Sequence, residues 1–559
     1  MARDTDIETG AYELLRYLDR TISRRTAIQL FGFSAVAAYL AACSSSPSST
    51  SSTSGGPRKG GTFSFAPNGT PDTLDPHKTT STQSQIVLRN VLDTLVIQRP
   101  GDLSFHPLLA KSWTISPDGM TYTFKLQSGV KFHDGTPFNA SAVKFNLDRI
   151  VNPATKSALA RTALGPYSST TVVDDLTAAV NLTSAYPPLL DALSSEVLGM
   201  LSPTSVGNLG DAGIAVHPVG TGFMKFVSYA LNDRIQLARN EGYNWASPIW
   251  GHQGPGYLDT ITIVIIPIQA ARTTALRSGD ATGIEDVAPQ DVAPLSADSS
   301  YTLIQGHVPG MPRAWFLNTE KPPLDNPDVR KAILYGMNRT DLLQLAFLGT
   351  QKPSEGPFSP GTLYYSPKVE GLYPYDATKA GQLLDGAGWK MGSNGIRMNS
   401  SGQSLTLLAP GITTFQTTYE STQALLRKIG VDVQIQMMAQ VAWVAAVNSG
   451  AHHIAVAALN ASDPARISLY FSSTNYNGAD WARIKDAALD KMWADAAVDT
   501  NTKTRAALYA QIQLDIMQQA LIYPVNAITR NDFVAANVKG ITLDSRGIVP
   551  WLYDAYIAP

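Results

Sequence analysis

Strand-like and helix-like stretches alternate along most of this chain, and over 559 residues that alternation confines it to layered α/β bodies, two or more of them. Gly60-Gly61-Thr62-Phe63-Ser64-Phe65-Ala66 alternates at period two, and Met120-Thr121-Tyr122-Thr123-Phe124-Lys125-Leu126 does the same behind a Pro117-Asp118-Gly119 turn. Thr260-Ile261-Thr262-Ile263-Val264-Ile265-Ile266 reads as a buried strand that Pro267 stops. Helices fall between. Asn326-Pro327-Asp328 offers an Asn cap and a Pro at the first helical position, opening a helix through Val329, Ile333, Leu334 and Met337. Asp376 caps another, which Gly386 and Gly388 end. Residues 423–429 lead through Gly430 into Val431-Asp432-Val433-Gln434-Ile435, a helix-to-strand step, and two late helices are expected over roughly 481–496 and 503–519.

Charge and cysteine content narrow the function. With 43 Lys+Arg against 45 Asp+Glu the formal charge is −2, which leaves no basic footprint for nucleic acid or an acidic membrane surface. The one cysteine, Cys43, excludes an intramolecular disulfide, a CxxC redox pair and a multi-cysteine zinc site. Its context supplies another role. Ser23-Arg24-Arg25-Thr26 precedes an apolar run over 27–42, which ends in Leu40-Ala41-Ala42-Cys43. The run contains Gln29, Gly32 and Ser34 and is shorter than the roughly 20 apolar residues a span requires, so it fits an export signal over residues 1–42. The arginine pair resembles a twin-arginine signal or serves as a generic positive flank, and Leu-Ala-Ala-Cys resembles a bacterial lipobox with Cys43 as the lipidation site. Residues 43–59, rich in Ser, Thr and Gly, form a tether with no apolar surface to bury. The expectation is an exported chain anchored to the outer face of the cytoplasmic membrane by lipid at Cys43.

Catalytic motifs are missing. The chain has no P-loop, HExxH, GxSxG or GxGxxG, and Gly220-Thr221-Gly222 lacks the third glycine of a dinucleotide loop. The eight histidines are scattered except His452-His453, and neighbours on a strand point to opposite faces, so that pair cannot chelate one metal. No enzyme, no metal and no cofactor is expected.

The stretch Ala110-Lys111-Ser112-Trp113-Thr114-Ile115-Ser116-Pro117-Asp118-Gly119-Met120-Thr121-Tyr122-Thr123-Phe124-Lys125-Leu126, continuing to Phe132-His133-Asp134-Gly135-Thr136-Pro137-Phe138-Asn139-Ala140, closely resembles the signature of the extracellular solute-binding protein family 5, the dipeptide, oligopeptide and nickel receptors of ABC importers. Leu74-Asp75-Pro76, Pro218-Val219-Gly220-Thr221-Gly222, Asn318-Thr319 with Pro327-Asp328-Val329-Arg330-Lys331-Ala332, and Tyr375-Asp376-Ala377 with Leu383-Leu384-Asp385-Gly386-Ala387-Gly388-Trp389 extend it over nearly the whole body. The residues themselves read as scaffold: Trp113, Tyr122, Phe124 and Phe132 are bulky strand residues suited to a core, and Asp118-Gly119 and Asp134-Gly135 are hairpin turns.

The resemblance implies an α/β, two-lobed periplasmic-binding-protein-like fold of type II, cluster C, that closes over its ligand about a hinge, with an extra subdomain in lobe I. Lobe I would span 60–308 and take back the chain at 524–559; lobe II would span 309–523, with crossings at Pro309-Gly310 and Tyr523-Pro524. Peptide-binding relatives carry an Asp four residues before a Pro to hold the ligand's ammonium. Here Asn460-Ala461-Ser462-Asp463-Pro464 puts Asn460 in that place, or Ser462 under another gap placement, with Asp463 as a substitute charge. His452-His453 replaces the family's Phe-Asp pair just upstream. Trp443 matches a cleft tryptophan of relatives, and Trp315, Asn318, Thr221 and Tyr476 are further candidates; plain core or hydrogen-bonded scaffold is the alternative for each.

The resulting expectation is a monomeric lipoprotein that captures a peptide or similar-sized polar solute in an interlobe cleft and delivers it to the permease and ATPase complex of an ABC importer. The alternative on the same fold is a ligand-sensing or protein-interacting surface lipoprotein without a transport role.

Overall fold

The computed structural model describes residues 56–559; Arg24, Arg25, Cys43 and most of the Ser/Thr-rich segment lie outside the described residues. The first large sheet runs, edge to edge, Tyr301–His307, Thr529–Ala535, Gly283–Ile284, Thr62–Ala66, Thr260–Val264, Arg234–Arg239, Met224–Ala230. Thr62–Ala66 pairs in parallel with both of its neighbours, whereas the outer pairs are antiparallel. Thr260–Val264 is β-branched throughout and paired on both edges, so Ile261 and Ile263 are fully buried. Phe63, Phe65, Ile235 and Leu237 join them in one core, while Ala66, Ile284 and Phe533 face a smaller core under the helices Gln269–Ser278 and Pro289–Ala297.

The signature stretch builds an antiparallel four-stranded sheet, in the order Ala110–Ile115, Thr121–Leu126, Thr177–Leu182, Tyr167–Asp174. Tyr122, Phe124 and Phe132 are buried in the first core and Trp113 packs against it. Gly119 and Gly135 take φ of 68° and 86° at the two turns.

A second core is built around the antiparallel sheet Lys352–Pro353, Ile522–Ala527, Gly310–Leu317, Ile454–Asn460, beside the parallel pair Thr406–Gly411 and Asp432–Met437. The capped helices form as their sequences require. Asn326 accepts from the Asp328 amide at 2.8 Å ahead of Pro327–Gly336, and Asp376 accepts from Lys379 at 2.8 Å ahead of Ala377–Gly386. Helix Gln416–Arg427 reaches its strand through Gly430 at φ 83°. Of the late helices, Thr502–Gln518 lies where expected, but the other begins at Ala487, because Asp486 caps it by accepting from Ala488 and Leu489; Trp481 sits in the preceding loop.

Two chain stretches, antiparallel to each other, link the first sheet to the second, and the Val308 amide donates to the Ile528 carbonyl at 2.9 Å where they pass. Gly310 opens the second-sheet strand at φ 113°, with space for no side chain: a Cβ would lie 2.1 Å from the Leu459 carbonyl oxygen. Tyr523 and Pro524, where the sequence suggested the return passage, pair with Trp315 and Ala314 inside the second sheet, and the passage itself is at Ile528. Pro524 is tolerated there because the register between the two strands shifts beside it.

Candidate functional site

Where the strand Ile454–Asn460 ends, Asp463-Pro464 turns the chain: Asp463 Oδ1 accepts from the Ala465 amide at 2.9 Å and Pro464 begins a 3₁₀ turn. This turn belongs to the body around the second core and faces three segments of the first body, the one built on the seven-stranded sheet; together they enclose a cavity of about 200 Å³. Asp191 projects from the four-residue helix Leu189–Ala192 behind Pro187-Pro188. Arg89 comes from helix Thr82–Val91, and Arg546 from a C-terminal turn that Asp544 fixes by accepting the Ile548 and Val549 amides at 2.9 and 3.1 Å. A second compartment of about 190 Å³ adjoins the first, shares Gln98, Asp191 and Asp463 with it, and has an apolar wall of Phe105, Ile115, Tyr122, Leu363 and Tyr364.

Three arginines and three aspartates line the first compartment, and most are neutralised locally. Arg89 pairs with buried Glu196 and donates to the Ser194 carbonyl at 2.8 Å. Arg546 pairs with Glu196 and with Asp544, the latter at 2.7 Å, and donates to Gln85 at 2.8 Å. Asp463 is held bidentately by Arg505, at 2.8 and 2.9 Å. Among the described residues Asp191 and Arg466 make no ion pair, and the Asp191 carboxyl lies beside the Ser462 hydroxyl. Burial pushes the Asp191 carboxyl up to about 7, with Asp463 reinforcing the shift and Arg546 and Arg466 opposing it.

Four further polar atoms in the lining are buried without a hydrogen-bond partner: Gln98 Oε1, Asn460 Oδ1, Ser462 Oγ and Trp551 Nε1. Buried polar groups are nearly always satisfied, and each one left unpaired costs about 1–3 kcal/mol. Their convergence on one polar cavity, between two separate cores, makes it the candidate ligand site.

Of the residues expected from sequence, Asn460, Ser462 and Asp463 line this cavity. The other five are elsewhere, each with a scaffold contact. Thr221 is fully buried and donates to Asp93 at 2.9 Å, a carboxylate that also receives Trp245 Nε1. Trp315 packs edge-on against Tyr419 in the second core, and Trp443 donates to the Pro410 carbonyl at 3.1 Å while packing against Trp481. Asn318 donates to the His452 carbonyl at 2.8 Å. Tyr476 bonds Glu320 and lies under the Arg483 guanidinium, 3.7 Å from its ring centre. His452 and His453 point apart: one meets the Trp481 carbonyl, the other receives the Leu408 amide. Among the described residues no group of three or more His, Cys, Asp or Glu is placed to hold a metal, and no helix is long and apolar enough to cross a membrane.

The family model for bacterial extracellular solute-binding proteins, family 5, matches residues 104–480, which contain both the signature sheet and the Asn460–Asp463 turn. The chain belongs to that family. A glutathione-binding protein, GsiB, from Pectobacterium atrosepticum is 34% identical over 367 residues, 65% of this chain and 67% of that protein. Among solved structures, NikA from Brucella suis in complex with Fe(III)-EDTA superposes with a TM-score of 0.78 at 26% identity, covering 89% of this chain and all of that one. The periplasmic binding protein DppA from Helicobacter pylori, ABC transporter-associated and in complex with the peptide STSA, gives 0.70 at 26% identity over 90% and 99% of the two chains. The fold is accordingly the two-lobed α/β fold of these receptors. This family-5 chain is an extracytoplasmic binding protein of the kind that serves ABC importers, and not an enzyme.

In this family-5 chain the cavity residues that sequence reasoning missed are Gln98, Asp191, Arg466, Arg546 and Trp551. Asp191 follows a Pro-Pro pair and Arg466 follows the Asp463-Pro464 turn by two residues, and no local pattern separates either from ordinary surface charge.

Proposed function

We propose that this protein captures a short peptide or peptide-like zwitterion between its two bodies, which open and close as lobes of roughly 60–308 with 528–559, and 309–527, and hands it to an ABC permease. The observation that carries the reading is the polar cavity walled by both bodies, in which Gln98, Asn460, Ser462 and Trp551 each hold out an unpartnered atom. The adjoining compartments, about 200 and 190 Å³, fall together within the range of small-molecule sites, about 300–1,000 Å³, and suit a polar head with a less polar arm. Glutathione is the first solute to try, because of the 34% identical glutathione-binding relative. A tripeptide-like molecule with an ammonium and carboxylates also suits a lining of mixed sign.

The working chain is proposed to be monomeric and held at the outer face of the cytoplasmic membrane by lipid on Cys43, with residues 43–59 as a tether. Native mass spectrometry of protein purified from its own host should find one small solute per chain. After its removal, calorimetry should return one-to-one binding of glutathione or of trialanine. Purified protein that carries nothing and binds neither defeats the reading. Cys43→Ser should release the exported protein from membranes, and unchanged retention would defeat the anchor.

A further inference from the structure

We infer that Asp191 and Arg466 form a split charge reader, in which Asp191 from the first body takes the ligand's ammonium and Arg466 from the second takes its carboxylate. The inference rests on the peptide reading and adds which groups recognise the two ends and from which side. Elimination within the cavity supports it. Of its six charged side chains, Arg89, Arg546, Asp463 and Asp544 already have ion-pair partners, and in each of those pairs at least one member is almost wholly buried. Among these six, only Asp191 and Arg466 can pair with a guest without breaking a buried pair.

The position that peptide receptors fill with an acid reads as Asn460 here, or as Ser462 under another gap placement, and the carboxylate that the second body lends this cavity, Asp463, is held by Arg505. Asp191 on the opposite wall replaces that missing charge. The polar atoms around the pair complete both ends. Ser462 Oγ and Gln98 Oε1 can accept from the ammonium, and Trp551 Nε1 can donate to a carboxylate. Because the two charges stand on different bodies, a zwitterion contacts both only when the cleft is closed. A ligand lacking either end would pull on one body alone, so closure itself discriminates.

The groups facing Asp191 across the cavity are Asp463, Arg466 and Arg546, with Tyr186 and Ser462 beside it. Its raised carboxyl pKa would fall on meeting an ammonium, so binding at pH 6 should release protons from the protein.

The test uses calorimetry with four probes: glutathione, trialanine, N-acetyl-trialanine and trialanine amide. Wild-type protein should prefer trialanine over each blocked peptide by about ten-fold or more. Asp191→Asn should bring the trialanine to N-acetyl-trialanine ratio near one while keeping the preference over the amide, and Arg466→Gln should do the reverse. Thermal melting of the ligand-free variants checks folding, and Asp191→Glu should restore part of the ammonium preference. Wild-type binding with both ratios unchanged in the variants overturns the charge reader and leaves the peptide reading standing. A wild type that binds neither glutathione nor trialanine overturns both.

Discussion

Replacing Arg505 by Met strands a carboxylate inside the protein. Arg505 is 3% exposed and its guanidinium grips Asp463 through two bonds of 2.8 and 2.9 Å, while its Nε donates to the Ala496 carbonyl at 2.9 Å. Burial alone would lower the arginine's pKa, but Asp463 and then Tyr509 and Tyr364 outweigh it and the net shift is upward. Without Arg505, Asp463 faces Asp191 as an uncompensated acid in the same cavity wall. Breaking one side of a buried pair costs about 3–5 kcal/mol, whereas an exposed pair costs at most about 1 kcal/mol. Urea unfolding followed by tryptophan fluorescence should therefore show a loss of about 3 kcal/mol or more in the transition of the second body, where Trp315, Trp443, Trp481 and Trp493 report. Combining the change with Asp463→Asn keeps a capping side chain for Ala465 and removes the stranded charge, and should recover most of the loss. A single variant losing under about 1 kcal/mol would refute the assignment of Asp463 to the scaffold and return it to the ligand.

Three other outcomes follow from the same geometry. Gly310→Ala should cost more than about 2 kcal/mol in thermal melting, since its Cβ would meet the Leu459 carbonyl oxygen at 2.1 Å on a backbone with φ 113°; a neutral result would mean that the strand entry is pliable. Gly119→Ala should lower the melting temperature, because on a backbone with φ 68° its Cβ would lie 2.8 Å from Thr500 Cγ2 and 3.2 Å from Ala185 Cβ, and Thr500→Ser should recover only part of the loss by removing the nearer methyl; an unchanged melting temperature would mean that this turn is pliable. The ligand-free melting temperature, relative to Asp191→Asn, should fall as pH rises from about 4 to 7 and flatten beyond, because a carboxyl held up to about 7 in the fold binds a proton that the unfolded chain has already lost; a pH-independent difference would contradict that.

What was legible in the sequence is what is local. Asn326, Asp376 and Gly430 act through atoms two to four residues away, so their cap and turn chemistry could be read directly. The family blocks fixed the scaffold for a related reason: Tyr122, Phe124 and Phe132 fill a core whose shape the fold dictates. The cavity is the opposite case. Gln98, Asp191, Asn460, Arg466, Arg546 and Trp551 meet only through tertiary packing and share no period. Trp315 and Trp443 show the limit of residue type as a signal, since the large aromatics that line clefts also fill cores, and here they pack on Tyr419 and Trp481. The helix expected over 481–496 takes in Trp481, which lies ahead of the helix start at Ala487. The Asp486 cap is what ends the helix there.

Small-angle X-ray scattering through a titration with glutathione, and in parallel with trialanine, tests the central claim of capture by closure. The radius of gyration should decrease and level off at one equivalent for the solute that binds, then return to its starting value when that solute is dialysed away unchanged. Tight one-to-one binding with a scattering curve that does not move would contradict the account.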